Sequence, residues 1–211
     1  MSQRERIIER TAEMFAELGI KSIRMDDIAH TLGISKRTLY EMFTDKEELV
    51  YLCMKYLFDE QVRMISEAAA GCDNKIEALF HGFKLLLSGG ERHHRMMTNL
   101  QKFYPAVYER IRVEHIRGGV TRLREVILEY VDFGLINRNV NVDLSITIFY
   151  YTSTMVFGQL GNIVLPEGVT EKDAFMYAIV NFFRGMATEE GVRQIDKLVE
   201  EKKLYEFRTG I

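Results

Sequence analysis

Met25-Asp-Asp-Ile-Ala-His-Thr-Leu-Gly-Ile-Ser-Lys-Arg-Thr-Leu-Tyr-Glu-Met-Phe-Thr44 decides the fold. Two short helices that cross steeply need a small residue at their contact, and Ala29 supplies it. The turn between them needs a residue that tolerates positive φ, and Gly33 follows four positions later. Ile28 and Leu32 make an apolar stripe on the first helix, and Ile34 plugs the turn. On the second helix Leu39 packs back, with Phe43 at i+4 on the same face. Ser35 is a suitable N-cap for that helix. Its outward face then carries Lys36, Arg37, Thr38 and Tyr40, whose side chains can bond phosphate oxygens or base edges. This is the layout of a helix-turn-helix that reads DNA.

The flanks agree. Ser2-x-x-Glu5 is a capping box that opens a first helix, with Ile8, Ala12, Phe15 and Leu18 at helical spacing and Gly19 as its stop. Thr44-x-x-Glu47 has the same pattern and opens a long fourth helix with Leu49, Cys53 and Leu57 on one side. Lys46 in its first turn is placed for a phosphate on the DNA flank.

Residues 4–50 resemble the N-terminal domain of the TetR (tetracycline repressor) family of transcription regulators. The resemblance rests on Asp27-Ile-Ala29, Leu32-Gly-Ile-Ser-Lys36, Thr38-Leu-Tyr40, Phe43 and Lys46-Glu-Glu-Leu49. It implies DNA contacts at Ser35, Lys36, Thr38, Tyr40 and Lys46. Many members carry threonine where this chain has Ile23 and Arg24, and glycine or alanine where it has Arg37. Arg24 can hold a phosphate in place of the missing hydroxyl, and Arg37 can either read a guanine or hold the backbone. The resemblance further implies a homodimer, an operator with two-fold symmetry and a ligand-responsive C-terminal domain.

Charge adds a qualification. Residues 1–50 hold eight Lys+Arg against ten Asp+Glu, whereas a basic footprint is the usual mark of a DNA binder. The acids concentrate on the first helix and at the start of the fourth, so the expectation is a local positive strip of Arg24, Lys36, Arg37 and Lys46 on an acidic protein. The whole chain of 211 residues carries a formal charge of −3.

The remainder reads as all-α. Only two prolines occur, and no long segment alternates with period two. The expected fold is an N-terminal three-helix helix-turn-helix domain (1–48) followed by a C-terminal antiparallel helical bundle (49–211), about nine to ten helices in total. The fourth helix should end near Ala70, before Gly71-Cys-Asp-Asn74, and a helix over 75–88 should end at Ser88-Gly-Gly90. A short helix to Phe103 follows, and Pro105 suits the first position of a long one reaching Phe133, with Gly118-Gly119 as a candidate kink. Helices over 143–163 and 172–187 carry stripes at Ile146, Phe149, Ser153, Val156, Leu160 and Ile163, and at Phe175, Ile179, Phe182 and Met186. These exceed the needs of one small core and suggest a four-helix interface in a homodimer. A charged final helix should begin at Thr188.

Catalytic chemistry finds no support. The chain has no P-loop, no G-x-G-x-x-G, no G-x-S-x-G and no H-E-x-x-H. Adjacent residues His93 and His94 would diverge by about 100° on a helix and chelate poorly. Cys53 and Cys72 fit no metal or redox spacing, and reduced cytoplasmic thiols are expected. No cofactor, no metal and no enzyme activity are expected. Leu144 to Pro166 lacks charge and is long enough to span a bilayer, but its many Ser, Thr, Gln and Asn residues favour a buried helix, so no membrane partner is expected. The middle helices are rich in Met and aromatic residues, which suits a small lipophilic effector, with Phe103, Tyr104 and Tyr108 as candidate contacts. The function expected is a dimeric, ligand-responsive regulator reading a palindromic double-stranded DNA operator through helix 3, the helix over residues 36–42 that follows Ser35. The competing reading is a helical lipid carrier or small enzyme whose N-terminal helices are merely structural.

Overall fold

The computed structural model describes residues 2–72, 74–88, 90–157 and 165–202, and the side chains of all of these except 90–94, 153–157 and 202. Ten α-helices account for most of the described residues. They are α1 (Gln3–Leu18), α2 (Met25–Leu32), α3 (Lys36–Met42), α4 (Lys46–Ala70), α5 (Lys75–Ser88), α6 (Gly90–Phe103), α7 (Pro105–Asp132), α8 (Val142–Phe157), α9 (Glu171–Met186) and α10 (Glu189–Lys202). The only bridge outside helices among the described residues is an isolated antiparallel pair, Ile136 with Ala187.

The caps explain most boundaries. Ser2 and Glu5 form the expected reciprocal box at α1. Gly33 ends α2 in the left-handed region, at φ +65°, and its N–H bonds back to the Ala29 and His30 carbonyls. The cap of α4 sits one residue later than Thr44-x-x-Glu47 implied. Asp45 Oδ1 accepts from the Glu48 N–H at 2.8 Å, and the Glu48 carboxylate accepts from the Thr44 N–H at 2.7 Å. Thr170 and Asp173 cap α9 in the same reciprocal way.

The chain divides into two compact units, residues 1–67 with 88–117, and residues 68–87 with 118–211. The first is larger than the 1–48 segment. Its core does not stop at α3, because Leu49, Val50, Cys53 and Met54 of α4 are fully buried together with Leu39 and Phe43. Leu100 of α6 and Val107 and Ile111 of α7 close the same cluster. One expected core position is wrong in α1. Leu18 is 65% exposed, and Thr11 is buried in its stead.

In the second unit, Phe80 and Phe83 of α5, Phe149 of α8 and Phe182 and Phe183 of α9 make a connected set of ring contacts. The stripes expected at a subunit interface are largely this unit's own core. Ile146, Phe149, Phe175, Ile179 and Met186 are all buried within it. Leu144, Ile148 and Tyr151 form a different stripe on α8, spaced four and three apart, and stay 55%, 50% and 67% exposed. Ser153 and Val156 have undescribed side chains, and Leu160 and Ile163 lie outside the described residues. Helix α7 runs unbroken through Gly118-Gly119. A β-carbon at Gly119 would lie against the Tyr150 hydroxyl, so glycine there serves close approach.

Candidate nucleic-acid interface

Helix α3 is short, and its two faces are sharply divided. Leu39 is fully buried, whereas Lys36, Arg37, Tyr40 and Glu41 are exposed. Ser35 is the N-cap, and its hydroxyl accepts the Thr38 N–H at 3.0 Å. The Ser35 and Thr38 hydroxyls are also 2.8 Å apart, so both residues shape the start of the helix. The cap takes the Thr38 N–H and holds the first turn of α3.

The positive strip is present but largely engaged within the protein. Lys36 Nζ lies 2.8 Å from the Asp26 carboxylate on α2. That hydrogen bond and charge raise the Lys36 pKa above the usual lysine value. Arg37 Nε donates to Glu41 Oε1 at 2.9 Å, one helical turn along α3. Arg24 is exposed and precedes α2, and its N–H is capped by Asp27 at 2.7 Å. Tyr40 is exposed on the same helix face as Lys36.

Lys46 differs from the others. It is half-buried, and its Nζ donates to the Ile20 carbonyl at 2.8 Å. The same ammonium lies 5.9 Å from the Phe15 ring centre and 5.7 Å from that of Tyr104. Its charge is therefore committed to the turn between α1 and α2.

The candidate effector contacts lie in the first unit. Tyr104 and Tyr108 are half-buried against its core, and Lys21 Nζ sits 4.6 Å from the Phe103 ring centre. Of the other Met and aromatic residues of the middle helices, Met96 and Met97 pack on this same cluster. Phe83 and Tyr150 pack on that of the second unit. Those side chains are thus shared between two separate cores. His93, His94 and Met155 have undescribed side chains. Among the described residues, no group of three or more His, Cys, Asp or Glu could hold a metal ion, and no helix is long and apolar enough to cross a membrane.

Sequence reasoning missed Glu41 and Asp26 as members of this surface. Arg37 and Glu41 at i,i+4 were a readable signal. The contact of Lys36 with Asp26 was not, because it spans the turn and depends on how α2 and α3 cross.

Residues 7–51 match the family model described as bacterial regulatory proteins, tetR family. The HTH-type transcriptional repressor KstR2 of Mycobacterium tuberculosis is 25% identical over 149 residues, which are 71% of this chain and 74% of that protein. IcaR of Staphylococcus epidermidis, an HTH-type negative transcriptional regulator of the biofilm operon icaADBC, is 25% identical over 134 residues, 61% of this chain and 69% of its own. The crystal structure of a TetR-family transcriptional regulator from Cytophaga hutchinsonii shares the fold, with a TM-score of 0.63 over 88% of this chain and 95% of that one, at 14% identity. Residues 7–51 thus carry a helix-turn-helix of the tetR family type, and the all-helical architecture is that of a solved TetR-family regulator.

Proposed function

We propose that the protein is a homodimeric repressor that inserts α3 of each copy into the DNA major groove and is released by a small lipophilic effector. The carrying observation is the division of α3, with Leu39 and Phe43 sunk in the core while Lys36, Arg37 and Tyr40 stand in solvent. Phosphate contacts fall to Lys36, Arg24 and the N–H groups of the first turn, and base edges to Arg37 and Tyr40. A repressor is favoured because KstR2 is a named repressor and IcaR a named negative regulator. Two copies related by a two-fold axis require a palindromic operator, with half-site centres one helical turn, or a multiple, apart. The exposed apolar stripe Leu144, Ile148 and Tyr151 supports α8 as part of the contact between copies.

The test is a gel shift against the DNA upstream of the protein's own coding region. Lys36→Ala combined with Tyr40→Ala is expected to abolish the retarded band while the variant keeps its helical content. Unchanged binding would remove α3 from the interface. Thermal-shift screening against lipophilic compounds, followed by release of the retarded DNA, tests the effector.

A further inference from the structure

On the reading face, Lys36 and Arg37 are each paired with an acid. Arg37 is 88% exposed at its side chain and donates through Nε to Glu41. Among the described residues nothing bonds its two terminal nitrogens. A guanidinium held by its Nε edge keeps Nη1 and Nη2 as a pair of parallel donors. That pair matches the O6 and N7 acceptors of guanine in the major groove. Arg37 occupies the second position of α3, and residues at the start of a recognition helix are those that reach base edges.

We propose that Arg37 reads guanine and that Glu41 is its positioning residue. The proposal rests on the DNA-reading role of α3 given above. Glu41 acts in two ways. It orients the guanidinium end-on, and its carboxylate repels the phosphates that would otherwise capture Arg37 on any sequence. Lys36, which Asp26 contacts across the turn, keeps the phosphate role given above. The two cations and two carboxylates leave this patch without net charge, so little affinity comes from counterion release alone. As folding interactions these exposed pairs contribute little. Their consequence is at the interface, where a phosphate must displace or face a carboxylate but a guanine edge need not.

The experiment begins by selecting sites from a randomised duplex pool with the full-length protein. Binding is then measured to the selected duplex, to duplexes changed at each guanine and to a scrambled duplex. Arg37→Ala should lose the preference for guanine at one position in each half-site, lowering the selected-to-scrambled ratio roughly tenfold or more. Glu41→Gln keeps an acceptor for Nε but drops the charge. It should keep the guanine preference while binding scrambled DNA more tightly. Glu41→Ala should also bind scrambled DNA more tightly, and its guanine preference should weaken. An unchanged selected site for Arg37→Ala, or a Glu41→Ala variant identical to the parent on both duplexes, would overturn the proposal. Should Arg37→Ala bind no duplex, the two Glu41 variants decide the question by the same readings. If the parent protein itself enriches no site, the fault lies with the DNA-reading role and not with the pair.

Discussion

Two residues carry more information than their types suggest. Thr11 is the one buried polar side chain among the described residues, and its hydroxyl has no hydrogen-bond partner there. A buried hydroxyl without a partner costs about 1–3 kcal/mol relative to a satisfied one. Valine has nearly the same shape and no polar atom to bury. Thr11→Val is therefore expected to raise stability by about 1 kcal/mol, or a melting temperature higher by about 2–4 °C. A lower melting temperature would mean that the hydroxyl is bonded after all. Lys46 is the second case. The family resemblance makes it a phosphate contact, whereas the structure spends its charge on the Ile20 carbonyl and the neighbouring rings. The two roles separate in salt. A substitution that removes one lysine–phosphate pair should flatten the plot of log affinity against log salt concentration by about 1 unit. Lys46→Met is expected to weaken operator binding while leaving that slope unchanged, because it loosens the turn that leads into α2 and takes no cation away from a phosphate.

At the scale of the helix, the N-terminus of α4 ties two segments together. Glu48 accepts the Thr44 N–H, and its carboxylate also lies 3.1 Å from Arg4 of α1. The Thr44 N–H first, and Arg4 after it, hold its pKa below the ordinary 4.5. A carboxyl group whose pKa falls on folding stabilises the protein above its unfolded value and ceases to do so as pH drops through its folded one. Glu48→Gln should thus be less stable than the parent at neutral pH, by about 0.5 kcal/mol for a charge at a helix start. The gap should close as pH falls from the ordinary 4.5 through the lower pKa of the folded Glu48, and thermal melts across that range measure it. A gap that does not change with pH would assign the effect to packing. The same scale separates what the sequence disclosed from what it concealed. α2 and α3 were legible almost to the residue, because Gly33 and Ser35 are caps that act locally. The fourth helix was legible in extent but not in its cap, since Thr44 and Asp45 are both good N-caps with a glutamate three residues on. The apolar stripe of α8 at Ile146 and Phe149 was legible, but not that its own unit covers it while Leu144 and Ile148 stay exposed. Ile146 and Phe149 differ from Leu144 and Ile148 only in what packs on them, and that is decided by α5 and α9 from elsewhere in the chain.

For the whole molecule, the exposed stripe on α8 is the proposed contact between copies. A protomer does not ordinarily leave Leu144, Ile148 and Tyr151 aligned along one helix face and open to water, because a contiguous apolar patch marks an interaction site. Ile148 is the middle of the three and is half-exposed, so it contributes modestly to the protomer's own core. A charge placed there changes little in the folding of one chain but must be desolvated, unpaired, in any contact between two. Ile148→Glu is therefore expected to sediment as a monomer at concentrations where the parent is a dimer, with a melting temperature shifted by no more than the loss of subunit association would produce. Because a palindromic operator is bound by two copies joined to each other, the monomer should also lose most of its affinity for the full site and keep only the weak affinity of a single head for a half-site. If Ile148→Glu stays dimeric, α8 is not the contact and another surface joins the copies. If it becomes monomeric yet binds the full operator as tightly as the parent, the protein does not need its two-fold axis to read DNA.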